Sequence, residues 1–392
     1  MLNNLKAQAP DALLALIKLH AEDERSDKID LGVGVYRTGD GDTPVFAAIK
    51  GAEQRLVDQQ DSKSYLGPEG DMGFVNAMAP YVFGSDATKG GRIQGMQTPG
   101  GTGAVRLAAA LAQAAGAKRV HFGVPSWPNH AQIFDDLELE KAPFTHATDS
   151  GEADLDAVLN AIASATAEDT VLLHGCCHNP TGIDYTAEQW VAIADALANS
   201  PALPILDIAY QGLGRGLEED VAGVRAVLKA IPQAVIAYSC DKNFGMYRDR
   251  VGALYMMAEK PDQLATITSN ANALARASWS MPPDHGGAAV RVILRDADLT
   301  KLWLDELETM RLRMRDVREQ LAAADNAVPG LGLAGLADQN GLFAILPLSK
   351  DQIQDMRSKH AIYMAGSGRI NIAGLHDGNI EKFINALADV TG

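Results

Sequence analysis

Val235-Ile236-Ala237-Tyr238-Ser239-Cys240-Asp241-Lys242-Asn243-Phe244-Gly245 is an apolar run that stops at a polar cluster. Residues 235–239 read as a short buried strand that ends just before Lys242. The same form recurs upstream. Residues 203–206 are a strand ending at Asp207, 171–174 a strand ending at His174, and 120–124 another short strand. Helical stretches separate them. Residues 103–114 are rich in Ala and Leu, and 130–137 return to helix. Thr186 can cap a third helix: Gln189 completes a capping box, and Trp190, Ile193 and Leu197 fall on one face. Strands separated by helices predict an α/β fold with a mostly parallel central sheet covered by helices.

Beyond this region the pattern changes. Residues 302–322 form a long charged helix, with Asp305, Glu306 and Glu308 against Arg311, Arg313 and Arg315. Short strands at 342–346, 361–364 and 369–372 then mix with helices at 350–360 and 378–388. A second, smaller α/β domain is expected. The chain has 392 residues, 47% of them hydrophobic, which suits two domains better than one. The net charge of −16 argues against nucleic acid or an anionic membrane as a partner. Any anion site must therefore concentrate Arg, Lys or helix N-termini locally. No stretch approaches the roughly 20 apolar residues of a membrane span. Leu13-Leu14-Ala15-Leu16-Ile17, after Asp11 and before Glu22, Asp23 and Glu24, reads as an amphipathic helix and not a signal peptide. Cys176, Cys177 and Cys240 cannot build a disulfide framework. A cytoplasmic protein is expected.

Ligands of open α/β sheets bind beyond the carboxyl ends of the strands. Four polar clusters fall there: Pro125 to His130, His174 to Gly182, Asp207 to Gly212, and Ser239 to Gly245. A fifth element, Thr98-Pro99-Gly100-Gly101-Thr102-Gly103, stands directly before a helix. Glycines at a helix start let backbone N–H groups approach an anion. Alone this could be a turning loop or a nucleotide site of an oxidoreductase. The cluster of His174, Cys176, Cys177 and His178 invites a zinc reading. Ligands crowded on one extended segment rarely close a tetrahedral site, so buried cysteines serve better as small hydrophobes and no metal is expected.

Together these segments resemble the aspartate and aromatic aminotransferases, subgroup alpha of the class I pyridoxal phosphate (PLP) enzymes. The resemblance runs from Leu31-Gly32-Val33-Gly34-Val35-Tyr36 to Ser367-Gly368-Arg369-Ile370-Asn371-Ile372-Ala373-Gly374. It is carried most specifically by Ser-x-x-Lys-Asn-Phe-Gly with Arg250-Val251-Gly252, by Asn179-Pro180-Thr181-Gly182, by Pro99-Gly100-Gly101-Thr102-Gly103, and by Ser126-Trp127-Pro128-Asn129-His130. It implies the PLP-dependent transferase fold of type I. Residues 39–309 would form the large PLP-binding domain, 310–392 the small C-terminal domain, and 1–38 an N-terminal arm and part of the small domain.

The resemblance also implies a role for each residue. Lys242 resembles the Schiff-base lysine that later moves the proton between substrate Cα and cofactor C4′. Asp207 resembles the carboxylate paired with the pyridinium nitrogen, with His130 and His174 supporting it. Tyr210 and Asn179 resemble the donors to the phenolic oxygen, and Trp127 the ring stacked on the pyridine. Gly101, Thr102, Ser239 and Arg250 would hold the phosphate, joined by Tyr65 of a neighbouring subunit. Arg369, with Gly34 and Asn179, would clamp the α-carboxylate. Arg276, supplied by the other subunit of a homodimer, would meet a side-chain carboxylate.

The expected reaction is ping-pong transfer of the amino group of aspartate, glutamate or an aromatic amino acid to 2-oxoglutarate or oxaloacetate. A PLP-dependent β-lyase or decarboxylase remains an alternative, because the same lysine and aspartate would serve it. Two positions depart from the commonest pattern. Cys240-Asp241 stand where the aspartate enzymes often have Tyr-Ser, and Met281 stands where many have Asn.

Overall fold

The computed structural model describes residues 1–7 and 12–392, so Asp11 lies outside the described residues. The chain divides into two compact units, Pro44–Leu312 on the one hand and Met1–Thr43 with Arg313–Gly392 on the other. The borders expected from sequence were 38/39 and 309/310.

The larger unit is built on a seven-stranded sheet. Its spatial order is Ile93–Pro99, Val251–Met257, Ala234–Ser239, Leu203–Ile208, Asp169–His174, Arg119–Val124 and Glu140–Thr145. Six strands run in one direction, five of them paired side by side in parallel. Val251–Met257 runs antiparallel to both of its neighbours. The sheet is therefore α/β and mostly parallel, as the alternation of strands and helices predicts. All residues of Ala234–Ser239 and Val251–Met257 are buried, as befits central strands covered on both faces.

Helix Gly100–Ala114 supplies much of one cover, burying Val105, Leu107, Ala108, Ala109, Leu111 and Ala112. Each large aliphatic side chain removed from water in this way contributes about 1.5–3 kcal/mol. Helix Ala187–Ala198 begins with the Thr186–Gln189 capping box and buries Trp190, Ile193, Ala194 and Leu197. Such a cap is worth about 1 kcal/mol.

Three strands of this sheet escape the sequence reading. Glu140–Thr145 is an edge strand whose charged residues are exposed, so it carries no apolar run. Ile93–Pro99 is broken by Gly95, where a Cβ would lie 2.5 Å from the Tyr255 ring. Val251–Met257 is apolar throughout but sits against the motif that precedes it.

In the smaller unit, Ile29–Asp30 pairs in parallel with Ile362–Tyr363, and Arg369–Asn371 pairs antiparallel with Phe343–Ile345. Arg318 is 1% exposed, yet it donates to the carbonyls of Asn340, Gly341 and Phe343 at 3.1, 2.9 and 2.7 Å. A buried cation is tolerated when its donors are met in this way. Helix Lys350–His360 opens on a second capping box, Ser349 with Gln352. The long helix Ala297–Ala323 begins earlier than its charge pattern suggests.

Candidate active site

The carboxyl ends of the parallel strands bring the polar clusters to one place. His174 is in register with Asp207, Asp207 with Ala237, and Ser239 with Gly252. A cavity lies over these ends. Its lining includes Gly101, Thr102, Trp127, His174, Asn179, Asp207, Tyr210, Asp241 and Lys242. Seven of these are residues the sequence nominated for cofactor or substrate; Asp241 is not.

Lys242 follows the central strand directly. Its Nζ lies 5.2 Å from the centroid of the Tyr210 ring. Burial lowers its pKa, while the nearby Asp241 and Asp207 carboxylates oppose that shift. The loop beyond it is fixed from behind. Asn243 donates to the Tyr238 hydroxyl at 2.9 Å, and Tyr238 donates to Gln211 Oε1 at 2.9 Å. Trp303 Nε1 donates to the Asn243 carbonyl at 2.8 Å, and its ring stacks on Phe244 at 4.4 Å. The two loops that carry Lys242 and Tyr210 are thus joined by one buried polar chain.

Asp207, one residue before the end of its strand, has Oδ2 3.0 Å from His130 Nε2. His130 Nδ1 lies 2.9 Å from Ser126 Oγ, which lies 3.5 Å from His174 Nε2. The His174 Nδ1 accepts the Asn179 N–H at 3.3 Å. Burial works against ionisation of Asp207, but the His130 hydrogen bond and the neighbouring charges outweigh it. The carboxyl is held below its ordinary range. Burial, aided by His130, brings His174 down to about 3, so that ring is neutral. Trp127 meets His130 edge to face at 5.1 Å.

Asn179 Nδ2 donates to the Tyr210 hydroxyl at 3.2 Å. Its buried Oδ1 has no hydrogen-bond partner among the described residues. A half-turn of the amide would present an N–H there instead.

The glycine loop closes another side. No side chain caps helix Gly100–Ala114. Gly100 has φ +68°, and a Cβ on it would run into the Arg250 guanidinium. A Cβ on Gly101 would lie 2.8 Å from Ser239 Cβ. The first N–H groups of this helix have no partner within it, so the bare backbone suits an anion.

Ser239 and Arg250 adjoin the glycine loop and are not part of the cavity lining. Gly34 and Arg369 belong to the smaller unit. There Arg369 Nη2 donates to the Gly32 carbonyl at 3.0 Å, and its guanidinium lies 4.5 Å from the Phe343 ring centroid. Gly34 leaves room for that ring, since a Cβ would lie 2.6 Å from it. Tyr65 is 93% exposed, and Arg276, which donates to Ser280 Oγ, is also exposed. Their two segments touch: the Leu66 N–H meets Met281 Sδ at 3.1 Å.

Four residues of this arrangement were not nominated from sequence. Asp184 accepts the N–H groups of Cys177 and His178, each at 2.9 Å, and so shapes the loop before Asn179. Trp303 and Phe343 act from distant segments, and no local pattern marks them. Asp241 was visible as a departure between Ser239 and Lys242; its pairing with Arg250 was not.

Residues 26–387 match the family described as aminotransferase class I and II. The tyrosine aminotransferase of Rhizobium meliloti (strain 1021) is 48% identical over 376 residues, 96% of each chain. The aspartate aminotransferase of Escherichia coli (strain K12) is 38% identical over 398 residues, covering 100% of both. Among solved structures, the aromatic-amino-acid aminotransferase of Burkholderia pseudomallei covalently bound to pyridoxal phosphate matches with a TM-score of 0.96 and 31% identity, covering 100% of both chains. With the matched family spanning most of its length, and with lysine, aspartate and glycine loop converging on one cavity, the chain belongs to the class I and II aminotransferases.

Proposed function

We propose that the chain is a PLP-dependent aminotransferase for aspartate, glutamate and aromatic L-amino acids, with 2-oxoglutarate or oxaloacetate as acceptor and Lys242 as the cofactor lysine. The observation that carries this reading is the convergence of Lys242, Asp207, Tyr210 and Asn179 on one cavity beside a bare helix start. The three relatives above are all named aminotransferases, which does not favour a lyase, decarboxylase or oxidoreductase.

The residues present fit PLP. Asp207 offers an ionised carboxylate for a ring nitrogen, and Asn179 Nδ2 keeps a second N–H, beyond the one it gives to the Tyr210 hydroxyl, for a phenolic oxygen. Tyr210 supplies a second donor, and Trp127 an aromatic face. Gly101, Thr102, Ser239 and Arg250, which adjoin one another, would cradle the phosphate, and Tyr65 of a second copy would join them. PLP, when bound, supplies the electron sink for the pair left at the substrate Cα.

The chain supplies the rest. Burial lowers the pKa of Lys242, which favours the neutral amine that would take the proton from substrate Cα and deliver it to cofactor C4′. Asp207, anchored by His130, would hold a proton on the ring nitrogen. Arg369 binds the α-carboxylate as a planar bidentate donor, aided by Gly34 and Asn179. Arg276 takes the distal carboxylate of a dicarboxylic substrate.

The same reading makes the protein a homodimer with shared active sites. The exposure of Tyr65 and Arg276 on adjoining segments supports it. A cytoplasmic location is part of the proposal, supported by three buried free thiols. Among the described residues no helix is long and apolar enough to cross a membrane.

The test is chemical. Borohydride reduction of the PLP-loaded protein should fix the cofactor to the peptide containing Lys242, and Lys242→Ala should lose transamination while still binding PLP noncovalently. Label on another lysine, or turnover in Lys242→Ala, refutes the assignment.

A further inference from the structure

Asp241 is 2% exposed, lies directly before Lys242 and turns its carboxylate to the glycine loop. Its Oδ2 pairs with Arg250 Nη1, and its Oδ1 accepts the Val251 N–H at 3.1 Å. A Cβ on Gly100 would lie 2.9 Å from that same Oδ2. The carboxylate thus holds the Arg250 guanidinium assigned above to the phosphate and lies beside the uncapped helix start. A serine, common at this position in the aspartate enzymes, would bring a neutral hydroxyl.

We propose that Asp241 shares the phosphate seat, so that a dianionic phosphate binds there only with uptake of a proton and cofactor affinity falls as pH rises. The inference rests on the proposed seating of the PLP phosphate. A phosphate ester is mostly dianionic above pH about 6. Placing it beside a buried carboxylate sets like charges against each other in a poorly solvated site. One proton, on the carboxyl or on the phosphate, relieves the repulsion and leaves Arg250 free to serve both.

The charged groups facing Asp241 are Arg250 and Lys242, with the positive end of helix Gly100–Ala114. The adjacent Cys240 thiol stays neutral, because burial drives its pKa well above the ordinary value. Burial already pushes the Asp241 carboxyl upward, against the pull of Lys242 and Arg250. An incoming phosphate works in the same direction.

Calorimetric binding of pyridoxamine 5′-phosphate, which forms no bond to Lys242, tests this on apoprotein in two buffers of unlike ionisation heat. At pH 8 the wild type should take up close to one proton more than Asp241→Ser or Asp241→Asn. The affinity advantage of either variant should grow by up to about tenfold per pH unit. Unphosphorylated pyridoxamine should show no such difference. Equal proton uptake in all three proteins, or an affinity ratio constant from pH 6.5 to 9, overturns the inference. Borohydride labelling of wild type separates the two failures. Label at Lys242 with equal uptake sinks only the shared seat, and no label at Lys242 sinks the cofactor assignment itself.

Discussion

Asp207 shows how much a single side chain depends on its neighbours. Buried alone, it would keep its proton, yet the His130 hydrogen bond holds it ionised. On the proposed function, Asp207→Asn keeps the shape and loses the charge that would retain a proton on the ring nitrogen. Its chemical step should slow by at least about 100-fold, the scale of one positioned proton-transfer partner. Single-turnover spectroscopy with aspartate measures it, and near-wild-type rates would remove Asp207 from the mechanism. Met281 poses a question of specificity at the same scale. Its sulfur accepts the Leu66 N–H at 3.1 Å, so it ties the Tyr65 segment to the loop after Arg276. A thioether is a weak acceptor and a soft surface for a ring. The enzyme should therefore accept phenylalanine as well as aspartate, and Met281→Asn should shift kcat/KM toward aspartate by several-fold. An unchanged ratio of the two substrates would clear Met281 of any part in the choice.

At the scale of elements, the segments that could be read from sequence are those whose local pattern and tertiary role agree. Helix Ala187–Ala198 carries its cap, its box and its apolar face within one stretch, and each is used. The strands ending at His174, Asp207 and Ser239 were legible because central strands must be apolar on both faces. The edge strand Glu140–Thr145 was not, since half of it faces water. In the larger unit, Lys242 and Asp207 follow from motifs at strand ends, whereas Trp303 reaches the Asn243 carbonyl from a remote segment. The strand-end loops also carry a pH liability. His146 and His178 stack at 3.4 Å, and His146 Nε2 donates to the Ile183 carbonyl at 2.8 Å. Burial lowers His146 to about 4 and, aided by the neighbouring His130, His174 to about 3. In the unfolded chain both rings would charge near pH 6.5, so below that value the unfolded state binds more protons. Stability is therefore full above pH about 6.5 and falls as the pH drops toward 4, by about 1–2 kcal/mol for each ring between pH 7 and 5. Urea titrations at the two pH values should show this loss, and His146→Gln should reduce it by about 1 kcal/mol. Equal losses in both proteins would place the acid sensitivity elsewhere.

For the whole molecule, the surface of a single chain carries side chains that gain little from solvent. Met1, Leu2 and Leu5 are 106, 81 and 76% exposed, and Leu14 is 65% exposed. Tyr65 and Arg276 stand out on adjoining segments of the larger unit. A second copy would cover such groups and gain two site residues in return. In a twofold dimer each site would then combine Lys242 of one chain with Arg276 of the other. Lys242→Ala and Arg276→Ala homodimers should each fail with aspartate, the first in chemistry and the second in binding. Mixed and allowed to exchange, they form hybrids with one site bearing both lesions and one bearing neither. In an equal random mixture about one quarter of all sites should be intact. Aspartate turnover should recover toward that fraction, with the KM of the wild type. If Lys242 and Arg276 serve within one chain, every site keeps a lesion, and the mixture shows only the average of its parents. Verified subunit exchange without recovery would therefore confine each active site to its own chain.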